Sequence, residues 1–196
     1  MKSLHTLIAV ALLLTFSTVN SQEKKSPYTY ESQQSILQYL DDNAVNYDKK
    51  DVSTLRIFDA WGYLLQNGKN EFPSVYFFNS KGESVKLNGD NCSQTLKKLH
   101  KINDVKVNKK EEPVSDWLKY YISFIEEDKE TATAYDGYIV ISWAKFAGNS
   151  INETSFNWYK SAKEYKDLNL RVILLNFDVM DTWEISDENK KVLGLE

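Results

Sequence analysis

The chain has 196 residues, is 13% aromatic, and carries 7 glycines, 3 prolines and a net charge of −4 at pH 7. That composition excludes disordered, collagen-like and low-complexity classes, and an acidic balance without a basic block makes nucleic acid and anionic lipid poor partners. One cysteine, Cys92, excludes an intramolecular disulfide and a dithiol redox pair within one chain.

Met1 and Lys2 precede an apolar stretch, residues 4–16, and Val19, Asn20 and Ser21 then occupy the positions a signal peptidase reads. Residues 1–21 are therefore predicted to be a signal peptide, cut near Ser21 and Gln22. The alternative is an uncleaved anchor, but the run is short for a span of about 20 residues. Export to the periplasm or exterior of a bacterium is expected, with no membrane span after cleavage. Residues 22–30 are polar and read as a frayed lead into the domain.

Residues 32–43 place Ile36, Leu37, Tyr39 and Leu40 on one side of a helix that Ser32 caps and Asn43 ends. The β-branched content of residues 51–58 favours a short strand, followed by a helix over 59–66 that stops at Asn67 and Gly68. Phe72 and Pro73 introduce SVYFF, then Asn79, Ser80, Lys81 and Gly82, then ESVKL. That is strand, tight turn, strand, with glycine where the turn needs positive φ. Residues 92–102 predict an amphipathic helix with Leu96, Leu99 and His100 on one face.

Residues 103–113 are a charged connector closed by Pro113. Beyond it Val114, Trp117, Leu118, Tyr121, Ile122 and Ile125 recur at helical spacing, which predicts a helix to about Glu126. A second charged link runs to 137. A strand over 138–143, a helix over about 151–166, a strand over 170–178 and a terminal helix or turn near 187–193 complete the chain. Strands alternate with helices, so the fold class is α/β, with a parallel or mixed sheet.

Two stretches resemble the thioredoxin-like superfamily, in particular its exported TlpA-like branch. In residues 138–178 the order is strand, turn, helix, strand, and Trp143, Ala144, Gly148 and Glu153 match the family pattern W-A-x-W-C-G-x-C-x-x-E. Phe146 stands at the second aromatic position, and Ala147 and Ser150 stand where the redox cysteines belong. Residues 72–87, FPSVYFFNSKGESVKL, are similar to the family's P-T-x-F-x-F-D-x-x-G-x-x-V hairpin. The resemblance implies a thioredoxin-like α/β sandwich with a mixed sheet and a cis bond before Pro73.

The order of the two stretches is reversed relative to the family. Residues 22–104 are like its C-terminal half, residues 105–137 form a linker and amphipathic helix, and residues 138–196 are like its N-terminal half with a degenerate active-site turn, Ala147, Gly148, Asn149 and Ser150. Two arrangements follow: a circularly permuted single domain, or two incomplete units packed together. The first requires Pro73 within about 15 Å of Ala147, a span of several extended residues.

The residues themselves offer little covalent chemistry. Ala147 has no nucleophile, and Ser150 has no adjacent base to activate it. Ser150 through Glu153 also spells S-x-x-E, a capping box. Cys92 reads either as a small buried hydrophobe or as a reactive thiol at a helix start. No metal is expected: His100 is the lone histidine after the signal, and Asp178, Asp181, Glu184, Asp187 and Glu188 lack the register of a calcium loop. No cofactor is expected.

Under the resemblance, Phe72, Pro73, Trp143 and Phe146 would converge where thioredoxin-like proteins receive an extended peptide, with core packing as the alternative for the aromatics. The functional expectation is an exported thioredoxin-like protein without the redox pair, a non-catalytic binder of polypeptide or of an envelope partner. The alternatives are a single-cysteine thiol protein acting through Cys92 mixed disulfides, and a purely structural assembly subunit.

Overall fold

The computed structural model describes residues 26–69, 71–89, 91–126 and 134–195. The predicted signal peptide, 1–21, and part of the charged link after Glu126 lie outside the described residues. No helix among the described residues is long and apolar enough to cross a membrane.

After a short strand, β1 (Tyr30–Glu31), α1 (Gln33–Asp42) begins where Ser32 accepts from the Ser35 amide and Ser35 accepts from the Ser32 amide. This reciprocal cap satisfies two donors that the helix start leaves open. β2 (Val52–Leu55) and α2 (Phe58–Gln66) follow the predicted strand and helix closely, and β3 (Val75–Asn79) and β4 (Ser84–Val85) form the predicted hairpin. Gly82 sits in its turn at φ +77°, a conformation that costs glycine nothing.

Two predicted helices are corrected. α3 (Cys92–Leu96) ends at Lys97, and a separate 3-10 turn, Leu99–Lys101, replaces the rest of the expected helix over 92–102. Leu96 and Leu99 are buried, but His100 is exposed, its Nδ1 2.8 Å from the Lys97 carbonyl. After Pro113 the chain forms only α4 (Val114–Asp116) and a π turn, Trp117–Tyr121, before β5 (Ile122–Phe124). β5 pairs antiparallel with β2, Leu55 opposite Ile122 and Ser53 opposite Phe124. The sheet hydrogen bonds and the burial of Ile122 outweigh a helical spacing that propensity alone supports weakly.

The remaining elements are β6 (Gly137–Trp143), α5 (Asn149–Glu164), β7 (Leu170–Asn176), β8 (Val179–Met180) and α6 (Asp187–Leu193). The fold is mixed α/β around a six-stranded sheet of order β4-β3-β6-β7-β2-β5, with β1 and β8 in a separate parallel pair. β6 is parallel to β7 over seven residues and antiparallel to β3 over five. Strands from all three predicted regions therefore lie in one sheet. The β6-α5-β7 unit is a crossover joining neighbouring parallel strands, the connection a parallel pair requires.

One charged group lies deep in this architecture. Asp51, 1% exposed, takes Arg171 Nη1 at 2.5 Å, Lys163 Nζ at 2.7 Å and the Tyr159 hydroxyl at 2.7 Å. It ties the start of β2 to β7 and α5. Asp51→Ala removes the carboxylate from buried Arg171 and Tyr159 and is expected to destabilise the fold by about 3–5 kcal/mol, read from the urea midpoint. Lys163→Ala, on the solvent side, is expected to lower it by about 1 kcal/mol or less.

Candidate functional site

β6 ends in the core, and the chain leaves the sheet through Ala144 into a 3-10 turn, Lys145–Ala147, closed by Ala147 N to Ala144 O at 3.0 Å and Gly148 N to Lys145 O at 3.1 Å. Gly148 follows at φ +87°, ψ 159°. A Cβ there would meet no atom within 4 Å, so the requirement for glycine is conformational and not steric. α5 starts at the next residue.

Two side chains hold the turn from below. Asp178, 3% exposed, accepts the Lys145 amide at 2.7 Å, the Phe146 amide at 3.3 Å and Asn176 Nδ2 at 2.7 Å. Burial pushes its carboxyl above the ordinary 3.8, with Glu31 adding to the rise and those three donors opposing it. Asn152, fully buried in α5, donates to the Ala144 carbonyl at 2.8 Å and accepts from the Ala144 amide at 3.3 Å. Its amide also donates to the Tyr39 hydroxyl at 2.9 Å, and that hydroxyl donates to Asn149 Oδ1 at 2.6 Å.

The capping box expected at Ser150 is not formed. Gly148 is the N-cap, no side chain caps the helix, and Ser150 is an exposed residue of the first turn. The S-x-x-E register was offset because the helix starts two residues earlier than the spacing predicted.

Pro73 is brought beside this turn. The Phe72–Pro73 bond is cis, and Ser74 and Ser142 exchange hydrogen bonds, Ser74 N to Ser142 Oγ at 2.9 Å and Ser142 N to Ser74 O at 2.9 Å. The Phe72 ring meets Phe146 edge to face at 5.6 Å and Phe177 at 5.3 Å. Phe72, Pro73, Phe146 and Ala147 are all half-buried. Neither backbone group of Phe72 is bonded to another described residue.

Trp143 does not join that surface. It is fully buried, stacked on Tyr39 at 5.7 Å and against Phe156 at 5.3 Å. Its indole N–H has no acceptor among the described residues. Cys92 is elsewhere: it is half-buried, and burial raises its thiol above the ordinary 9.0, partly opposed by a hydrogen bond with Ser161. Ser161 lies about 16 Å along α5 from Ser150, at about 1.5 Å per residue. Cys92 thus lacks the exposed, electropositive setting of a reactive thiol.

Residues 26–30, expected as part of a frayed lead, and Glu31 instead pack on the turn: the Tyr28 ring lies edge to face on Phe146 at 5.1 Å and on Trp61 at 5.8 Å. Glu31, 7% exposed, receives Lys145 Nζ at 2.5 Å and the Ser35 hydroxyl at 2.6 Å. Burial alone would raise its carboxyl, but hydrogen bonds from Lys145, Ser35 and Thr29 and the charge of Lys145 outweigh it, and the group lies below its ordinary 4.5. Asp178 appears in the sequence only among acidic residues without a calcium-loop register; its place at the end of the apolar run 170–177 is the signal of a structural role.

A separate polar cleft of about 1130 Å³ lies between residues 43–48 and α5 and reaches Asn149 and Ser150. Among the described residues, no group of three or more His, Cys, Asp or Glu side chains is placed to hold a metal ion. Comparisons of this chain with protein-family models, with curated proteins and with solved structures return no match.

Two predictions follow from the supports of the turn. Ser150→Ala is expected to change stability by about 0.5 kcal/mol or less, whereas Asn152→Ala, which strands both backbone groups of Ala144, costs about 2–3 kcal/mol in the same denaturant titration. Glu31 has a native carboxyl below its unfolded value, so its stabilisation is present above pH 4.5 and lost as pH falls through the native value. Glu31→Gln is therefore less stable than wild type at pH 7, and the gap closes as pH falls below 4.5 and through the native value. A gap independent of pH would refute that assignment.

Proposed function

We propose that this chain is an exported protein of thioredoxin-like architecture that has lost dithiol chemistry and binds polypeptide at the surface formed by Phe72, Pro73 and Phe146. The observation that carries the reading is the juxtaposition, at the end of one buried strand, of a strand-turn-helix unit and a proline-led hairpin that are far apart in sequence. β6, α5 and β7 supply the first, and β3 and β4 the second, with β3 antiparallel to β6. This is the arrangement the resemblance implies, with the two halves of the chain in reversed order. β2 extends it at the β7 side and β5 adds an outer antiparallel strand.

Under the resemblance Ala147 and Ser150 stand for the redox pair, which leaves aromatic surface and a Phe72 backbone that bonds to no other described residue. An extended polypeptide can satisfy both, through main-chain hydrogen bonds and ring contacts. Binding of permanently unfolded, carboxymethylated α-lactalbumin by fluorescence anisotropy tests the reading. Saturable binding that Phe146→Ser weakens at least tenfold is expected, with no reduction of insulin disulfides. Absence of binding, binding indifferent to Phe146, or insulin turnover abolished by Cys92→Ser would overturn it.

A further inference from the structure

Phe146 is contacted from a second side by the chain itself. Residues 26–31 run alongside the turn as an extended strap: Tyr30 and Glu31 pair in parallel with Val179 and Met180, and Asp181 N donates to Glu31 O at 2.9 Å. Tyr28 lies on Phe146 and Trp61, and Glu31 reaches Lys145, the residue that opens the turn. The upstream end is seated as closely. Ser26 Oγ donates to the Leu193 carbonyl, and a Cβ on Gly194, at φ +64°, would come 2.8 Å from Ser26 Cβ.

The strap carries the contacts of a bound peptide: a ring against the half-buried aromatic of the site, a carboxylate on its lysine three residues later, and main-chain pairing of Tyr30 and Glu31 to one short strand. We propose that residues 26–31 are a built-in occupant of the Phe146 and Lys145 end of the polypeptide site. The partner is then an extended segment with an aromatic residue three positions before a carboxylate, which enters when the strap leaves. This inference rests on the polypeptide-binding reading and adds the chemistry of the ligand and the state of the empty site.

Release of the strap needs little of the fold to move. β1 contributes two residues of pairing, and α1 begins directly behind it with its own reciprocal cap at Ser32. Short elements of this kind open locally, below the threshold of global unfolding. While tethered, the strap acts at an effective concentration of about millimolar, so an untethered peptide competes poorly with it.

The test uses the full chain and a fluorescein-labelled hexapeptide with the sequence of residues 26–31. Tyr28→Ala is expected to raise the apparent affinity for the peptide at least tenfold over wild type. Adding Lys145→Met, or replacing the peptide's first tyrosine by alanine, should remove that gain. Glu31→Gln is a second opening variant that leaves the aromatic cluster intact, and circular dichroism confirms that each variant is folded. Equal peptide binding by wild type and both opening variants, or no binding by either variant, overturns the proposal. Carboxymethylated α-lactalbumin separates the two readings. If it binds through Phe146 but the hexapeptide does not compete, the strap inference fails and the polypeptide site stands; if neither ligand binds, both fail.

Discussion

The register of β6 against β7 fixes everything at the candidate site. The two strands are parallel over their whole lengths, Gly137 opposite Leu170 and Trp143 opposite Asn176, and the Trp143 carbonyl still accepts the Phe177 amide at 2.9 Å. They therefore leave the sheet together. Asp178, just past one strand, meets the amides of Lys145 and Phe146, just past the other. A slip of one residue would turn every side chain of β6 to the opposite face. It would also separate Ser142 from Ser74, so the hairpin that carries Phe72 is held by the same register.

Polar groups around the turn are committed to structure. Asp178 takes two of the turn's amides, Asn152 takes both backbone groups of Ala144, and Glu31 takes the ammonium of Lys145. A strand-to-helix turn favours an anion because its amides converge and the helix dipole adds to them. Here a buried carboxylate already occupies the first of those donors. A thiolate at position 147, next to Phe146, would add a second negative charge near Asp178. What remains at the surface is the exposed Asn149 and Ser150 and the half-buried rings of Phe72 and Phe146, groups suited to contact more than to bond making.

Much of the fold was legible because its central elements state their period strongly. The run at residues 138–143 has the continuous apolar character of a strand buried on both faces, and the hairpin is marked by Pro73 and Gly82. What the residues after Pro113 lacked was a local signal against helix. Trp117, Tyr121 and Ile122 fit a helical face, and only the partner strand β2, some 70 residues upstream, turns Ile122 into a strand residue. Of the site, Phe72, Pro73 and Phe146 were found through the resemblance, and Trp143 was left open between groove and core. The strap was invisible because two residues of parallel pairing make no pattern; Tyr28 and Glu31 acquire their meaning from residues more than a hundred positions away.

The proposed strap would also resolve a physical difficulty in the proposed binding site. An open cluster of Phe72, Phe146 and Trp61 would present contiguous apolar surface to water, which promotes unselective association. Tyr28 covers Phe146 and Trp61, and all three rings are half-buried or better, while the pairing that holds the cover is only two residues long. Under the proposal, selectivity arises from competition. A segment must replace both the ring on Phe146 and the carboxylate on Lys145, because one without the other leaves either apolar surface or a charge unmatched. A partner with a ring but no acid would lose to the tethered strap, so the cover sets a chemical threshold for entry.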